Sequence, residues 1–245
     1  MKHFLNQNKP YVIASLFILV FVISLINNMP TWILGKVVEH YSQGKLKLYN
    51  QNGNFWHGSG LLVATDTKLQ QSAPLLLVDW NINLGLTKFI DVKFTTGNNP
   101  IAEVYLNKAG VNLDKVNLSL SISQVSQLSS IVQTLGLSGN ISLITDHIIL
   151  GKTTSGIFDI LLSNVSSSIS PVNPLGSYKI QLNASNSSLN VASVGSSLLM
   201  LKGNGNLNSL SLDARIDPAK KEQMAQFITV MGIPKADGSY ELKIF

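Results

Sequence analysis

The residue types that most often carry chemistry are sparse in this chain and poorly spaced for it. Four histidines occur, His3, His40, His57 and His147, and no two stand at the H-x-x-x-H or similar spacing that turns both rings onto one metal ion. Cysteine is absent, which excludes zinc ribbons, iron–sulfur clusters, thiol nucleophiles and disulfide frameworks. The 13 carboxylates are scattered, and Asp79, Asp91 and Glu103 fall on expected wet positions of strands. Glycoside hydrolysis needs two carboxyls converging across a cleft, and nothing in the spacing points to such a pair. Neither a G-x-S-x-G elbow nor a P-loop is present. Gly203-Asn204-Gly205 begins like a dinucleotide fingerprint, but Asn208 stands where the last glycine belongs and no helix is expected after it. It reads as a turn. The expectation is a protein that is not an enzyme, with no catalytic residue, metal ligand, cofactor or small-molecule substrate to nominate.

One local patch stands out, Gly53-Asn54-Phe55-Trp56-His57-Gly58-Ser59-Gly60. Read as packing, it is a turn into a strand, with Trp56 on the core and Gly58 and Gly60 allowing close backbone approach. Read as function, Trp56 and His57 meet a partner. Packing is the more economical reading, because isolated strand glycines generally have a packing reason.

The elements that carry these residues follow from composition and period. Of 245 residues 45% are hydrophobic and only 13% charged, about half the usual charged share, so a packed core is expected and disorder is not. Net charge is +5, but 17 of the 18 basic residues are lysines spread singly along the chain, and Arg215 is the one arginine. A nucleic-acid reader clusters its cations on one face. No nucleic-acid partner is expected.

Tyr11 to Ile26 is an unbroken apolar run with only Ser15 and Ser24 as polar residues, preceded by Lys2, His3 and Lys9. On a continuous helix Tyr11 and Trp32 would stand about 32 Å apart, close to the thickness of a hydrocarbon core, with an aromatic residue at each interface. A cleaved signal peptide would need a shorter apolar region and a small-x-small site, and Leu25-Ile26-Asn27-Asn28-Met29 supplies none. A buried helix this uniformly apolar would need a helical fold around it. The expected organisation is a cytoplasmic tail over 1–10, a transmembrane anchor over 11–34 and a periplasmic β-rich domain over 35–245. The positive-inside rule sets that orientation.

Thr31 to Tyr41 reads as an amphipathic helix ended by Gly44, after which the period changes to two. Leu76/Val78/Trp80/Ile82, Ile90/Val92/Phe94, Leu118/Leu120/Ile122 and Tyr240/Leu242/Ile244 alternate with polar partners, as in antiparallel sheet with one covered face. Turn chemistry is read at Asn50–Gly53, Gly97–Pro100, Ser170–Pro174 and Gly203–Gly205. Two amphipathic helices interrupt the strands. The first, about Ser123 to Leu135, has Ser123 as N-cap and Leu128, Ile131 and Val132 on its apolar face. The second, about Pro218 to Met231, has Asp217 as N-cap and Met224, Phe227, Ile228 and Met231 on its apolar face, with Gly232 closing it. At an offset of 96 the two helices superpose residue for residue. A two-fold internal repeat, with halves at about 45–150 and 151–245, and a chance agreement between capped amphipathic helices both stay open. The fold class is mostly β: one N-terminal transmembrane helix, then a curved antiparallel sheet with two amphipathic helices.

In order along the chain, the features above resemble the type II secretion system protein N family. The basic tail and single anchor lead into Pro30-Thr31-Trp32. The G-x-x-W-x-G-x-G pattern is Gly53, Trp56, Gly58 and Gly60, followed by the Leu76-to-Ile82 strand with Trp80, and at the end Gly232 in Met231-Gly232-Ile233-Pro234 and Gly238 before Tyr240. The resemblance implies a bitopic accessory of the bacterial inner membrane, anchored around Tyr11, Ile26 and Trp32, in the machine that exports folded proteins across the outer membrane. Its implied partners are the inner-membrane platform, with secretin components as further candidates. The family is similar in architecture to AsmA-like periplasmic proteins, whose sheets carry an apolar groove, so lipid binding or transfer is the alternative function. The resemblance implies no catalytic residues and no cofactor.

Overall fold

A computed structural model describes residues 9–66, 71–126, 130–151, 154–206 and 209–242; side chains 9–12, 130, 131, 230 and 231 lie outside that description. The alternating segments form one antiparallel sheet of fourteen strands among the described residues. They are β1 (Leu46–Gly53), β2 (His57–Asp66), β3 (Gln71–Leu84), β4 (Ile90–Thr96), β5 (Asn99–Asn107), β6 (Gly110–Ser121) and β7 (Leu137–Gly151). There follow β8 (Ser155–Ser167), β9 (Gly176–Asn183), β10 (Ser188–Val194), β11 (Leu199–Asn206), β12 (Ser209–Ile216), β13 (Gly232–Pro234) and β14 (Tyr240–Leu242). Each strand pairs with the next in sequence, except that β14 inserts between β12 and β13. Hairpin connection makes the whole sheet antiparallel, and because it does not close, β1 and β13 remain as edges.

Register places apolar residues opposite one another on one face. From β6 to β14 a single row runs Leu118, Leu143, Ile160, Ile180, Val191, Gly203, Leu212 and Leu242, each the partner of the next. In the first strands the rows are Trp80–Phe94–Ala102 and Ile82–Val92–Val104. A one-residue slip would turn every one of these side chains to water, so the pattern holds the register.

Helices cover this face in three places. α1 (Lys9–Asn27) leads to α2 (Trp32–Tyr41), which brings Leu34 onto Val78, Trp80, Ile82 and Ile101. α3 (Ile122–Val125) and α4 (Ser130–Thr134) bring Ile122 and Val132 together with Val165 and Tyr178. α5 (Lys221–Met231) lays Met224, Phe227 and Ile228 on Leu175, Leu199 and Leu212.

Several expectations change on contact with the structure. The one helix expected from Tyr11 to Trp32 is two: α1 ends at Asn27, where Asn28 Nδ2 donates to Ser24 O, and Pro30 has no N–H to continue the ladder. No helix among the described residues is long and apolar enough to cross a membrane. The cap of the middle helix is Ser121 rather than Ser123, in a reciprocal capping box with Gln124, so Ile122 opens α3 instead of ending a strand. Leu128 lies outside the described residues, as do the side chains of Ile131 and Met231, and Ile244. Asp217 does cap, through Ala219 N, but a 3-10 turn over Pro218–Lys220 precedes α5. Asn50–Gly53 is a bulged stretch of β1 rather than a turn, with the register shifting between Tyr49 and Asn52. Gly203 and Gly205 sit inside β11, where the Leu212 side chain closes over the missing Cβ of Gly203.

Candidate functional site

The Gly53-to-Gly60 patch lies where α1 meets the sheet. Asn54 Oδ1 accepts from the backbone N–H groups of Trp56 (2.9 Å) and His57 (2.8 Å), closing the β1–β2 turn as an Asx turn. That turn grips the end of α1: Phe55 N donates to Met29 O at 2.8 Å, Trp56 Nε1 donates to Ile26 O at 2.6 Å, and Pro30 forms an isolated bridge with Asn54. It grips β3 as well, with Trp80 Nε1 donating to Phe55 O at 3.1 Å and Ile82 N donating to Trp56 O at 2.7 Å. Trp80 is 3% exposed.

Two of the glycines are required by this geometry. Gly53 has φ +92°, and a Cβ there would meet His57 O at 2.4 Å. At Gly58 a Cβ would stand 2.5 Å from both Asn52 O and the Trp80 ring. Gly60 is less confined, its nearest neighbours being Leu48 Cδ2 and Tyr49 O at 3.3 Å. Gly232 and Gly238 lie at the opposite end of the sheet, at the β13 edge and in the turn before β14. The seven motif residues therefore make two separate places, five at the helix junction and two at the far edge. Sequence reading missed Ile26 O and Asn54, the groups that tie the junction together; Asn two residues before Trp56 was the available signal.

Beside the junction, under α2, lies an apolar cavity of about 260 Å³ lined by Leu34, Val38, Leu48, Leu62, Phe94 and Leu118 with their apolar neighbours. A larger cavity, about 510 Å³, lies on the outward face of β11 and β12, away from the helix junction, against Lys202, Asn204, Asp213 and Arg215. The cations at its margin face carboxylates: Lys235 Nζ is 2.5 Å from Asp213 Oδ1, and Arg215 Nη2 is 2.8 Å from Asp237 Oδ2. Hydrogen bonds from Ser239, then Arg215, hold the Asp237 carboxyl down to a pKa of about 2.

On the outward face of the first half, ionisable side chains stand in register. Lys93 is opposite Glu103, Glu103 opposite Asp114, and Asp114 opposite His147. Lys88 pairs with Glu103 and lies 4.0 Å over the Tyr105 ring. The hydrogen bond from Lys88 holds the Glu103 carboxyl below its usual range and raises the Lys88 ammonium, while burial and then Asp114 push the Tyr105 phenol up. His147 Nδ1 stands 2.5 Å from Asp114 Oδ1. An opposite-charge cross-strand pair such as Lys93–Glu103 stabilises a sheet by about 0.2–1 kcal/mol, whereas the like-charged Glu103 and Asp114, directly opposite, work against it. Among the described residues no group of three or more His, Asp or Glu could hold a metal ion.

A family model described as type II secretion system (T2SS), protein N, matches residues 45–243, from the start of β1 to just past the end of β14. Comparison with curated proteins and with solved structures gives no match. The family match spans the sheet, all of its helices after α2, and every glycine and tryptophan of both motif clusters. On that extent the chain belongs to the type II secretion system protein N family.

Proposed function

We propose that this family member is a single-pass protein of the bacterial inner membrane. Its N-terminal tail is cytoplasmic, its sheet is periplasmic, and it serves export of folded proteins through protein contacts rather than catalysis. The observation that carries the reading is the junction just described: an apolar helix whose end is hydrogen-bonded to the first turn of an open sheet. α1 buries none of its described side chains on the domain, and Phe17 is 75% exposed. The described side chains, 13–27, cover about 22 Å, and the backbone of residues 9–12 brings α1 to about 28 Å against a hydrocarbon core of about 30 Å. A soluble neighbour for such a helix would have to be wholly apolar. A bilayer already is.

The full chain is expected to stay with the membrane through alkaline carbonate washing and to need detergent for release. A reporter fused after Phe245 is expected to register as periplasmic. Recovery of the chain in the soluble fraction, or a mature N-terminus beginning after Ile26, would sink the anchor.

Partners reach such a domain through its surfaces. The edge strand β1 is eight residues long, but a bulge interrupts it and part of its backbone is already engaged, Leu46 N donating to Ser42 Oγ and Leu48 O accepting from Gln51 Nε2, whereas β13 is three residues long and ends in Pro234. The alternative function, binding or transferring lipid in an AsmA-like groove, draws on the apolar cavity under α2. At about 260 Å³ it falls below the ~300–1,000 Å³ common for small-molecule sites. That volume takes an apolar side chain or part of one acyl chain, which favours the protein-contact reading.

A further inference from the structure

The apolar face of the sheet does not end where α2 stops covering it. Leu84 pairs with Ile90, Ile90 with Leu106, Leu106 with Val111 and Val111 with Leu150, a row across β3 to β7 on the same face as Trp80 and Ile82. Every member of this row is exposed, Leu84 at 65%. The adjoining β3–β4 turn adds Leu86, 96% exposed, and Phe89. A turn between strands ordinarily carries polar residues, so Leu84-Gly85-Leu86-Thr87-Lys88-Phe89 needs a reason. A contiguous exposed apolar patch of this kind marks a contact surface.

Topology says what that surface faces. In an all-hairpin sheet the β1–β2, β3–β4, β5–β6 and β7–β8 turns share one end. The β1–β2 turn is the one that holds α1, through Trp56 Nε1 and Ile26 O, and Trp56 O in turn accepts from Ile82 N, two residues before Leu84. The exposed row therefore begins beside the exit of α1. Charge agrees: the described residues of these four turns include Lys88 and Lys108 and no Asp or Glu, although Lys88 is shared with Glu103. An apolar row with cations beside it suits an anionic bilayer surface, where apolar side chains enter the interface and lysines meet headgroups.

We infer that this end of the sheet rests on the membrane, with the β3–β4 turn inserted among the lipids and the row from Leu84 to Leu150 lying at the interface. The inference rests on the anchor reading, and it fixes how the domain stands: strands upright on the bilayer, with the opposite turns pointing into the periplasm.

The absence of cysteine makes the test direct. Single variants Leu86→Cys, Leu16→Cys in α1 and Asn98→Cys in the opposite β4–β5 turn are labelled with a nitrobenzoxadiazole (NBD) thiol probe. The full chain is then reconstituted into vesicles of phosphatidylethanolamine and phosphatidylglycerol containing doxyl-labelled lipid. Quenching at position 86 approaching that at 16, and several-fold above that at 98, is the expected result. Quenching at 16 with 86 no different from 98 overturns the inference and leaves the anchor standing. No quenching at either 16 or 86 overturns both. A blue-shifted probe at 86 that rises with protein-to-lipid ratio and is not quenched also overturns it, assigning the row to a second copy of the chain.

Discussion

Replacing Phe227 by Asp is expected to lower the thermal midpoint of the detergent-solubilised full chain by about 10–20 °C, or to prevent folding. Phe227 is 5% exposed and sits between Met224 and Ile228, both fully buried, in the cluster that joins α5 to β9–β12 and β14. Removing a buried Phe side chain costs about 3–5 kcal/mol, and an unpaired carboxylate in its place adds the penalty of a desolvated charge. A total of ~5 kcal/mol or more, at about 2–4 °C per kcal/mol for a chain of this size, gives the stated range. The exposed neighbour Gln226→Asp on the same helix is the control, with an expected change of about 0.5 kcal/mol or less. Circular dichroism melts decide it. A Phe227→Asp midpoint within a degree or two of that control would mean that α5 is not part of the core.

Gly58→Val is expected to be destabilising as well, for a steric reason. The first side-chain atom would already stand 2.5 Å from the backbone oxygen of Asn52 and 2.5 Å from the Trp80 ring. The β1 backbone cannot retreat without breaking its ladder with β2, and Trp80 cannot move without losing Phe55 O and its place against Ile101. Overpacking typically costs about 1–3 kcal/mol and more where backbone is struck. The β1–β2 turn that holds Ile26 should loosen with it. Gly60→Ala, whose nearest contacts are 3.3 Å away, should be milder. Tryptophan fluorescence and thermal midpoints measured side by side provide the check; equal effects at the two positions would remove the close-approach explanation of the motif.

Much of the sheet was legible in the sequence because a half-covered strand writes its two faces as alternation. Leu76, Val78, Trp80 and Ile82 announce both β3 and its inward side. Asp217 followed by Pro218 likewise announces a helix start. Other positions were ambiguous for physical reasons. Ile122 fits equally as the last inward residue of β6 or the first buried residue of α3, and only the Ser121–Gln124 capping box decides. A bulge in an edge strand uses the Asn and Gly that a turn uses, so Asn50–Gly53 was misread. Glycines inside β11 read as a turn because the atoms that fill their space, Leu212 at Gly203 and the Ser209–Leu210 backbone at Gly205, arrive from the next strand.

The candidate site was legible as a motif but not as a place. Spacing alone could not join Gly58 to Trp80 or Trp56 to Ile26, since these contacts cross 22 and 30 residues. It also could not separate Gly232 and Gly238 from the others. The exposed row from Leu84 to Leu150 was hidden for the same reason: its members alternate like any core residue, and only the register and the reach of α2 reveal that no described residue covers them.

The proposed role is that the domain works by touching other proteins of the secretion machine. In-cell photo-crosslinking tests it most directly, with a photoreactive residue at Tyr49 on the β1 edge, at Lys93 on the outward face and at Lys202 on β11. Adducts with inner-membrane platform or secretin proteins are the predicted result. Adducts containing only phospholipid or lipopolysaccharide would contradict it and turn the account toward the apolar groove.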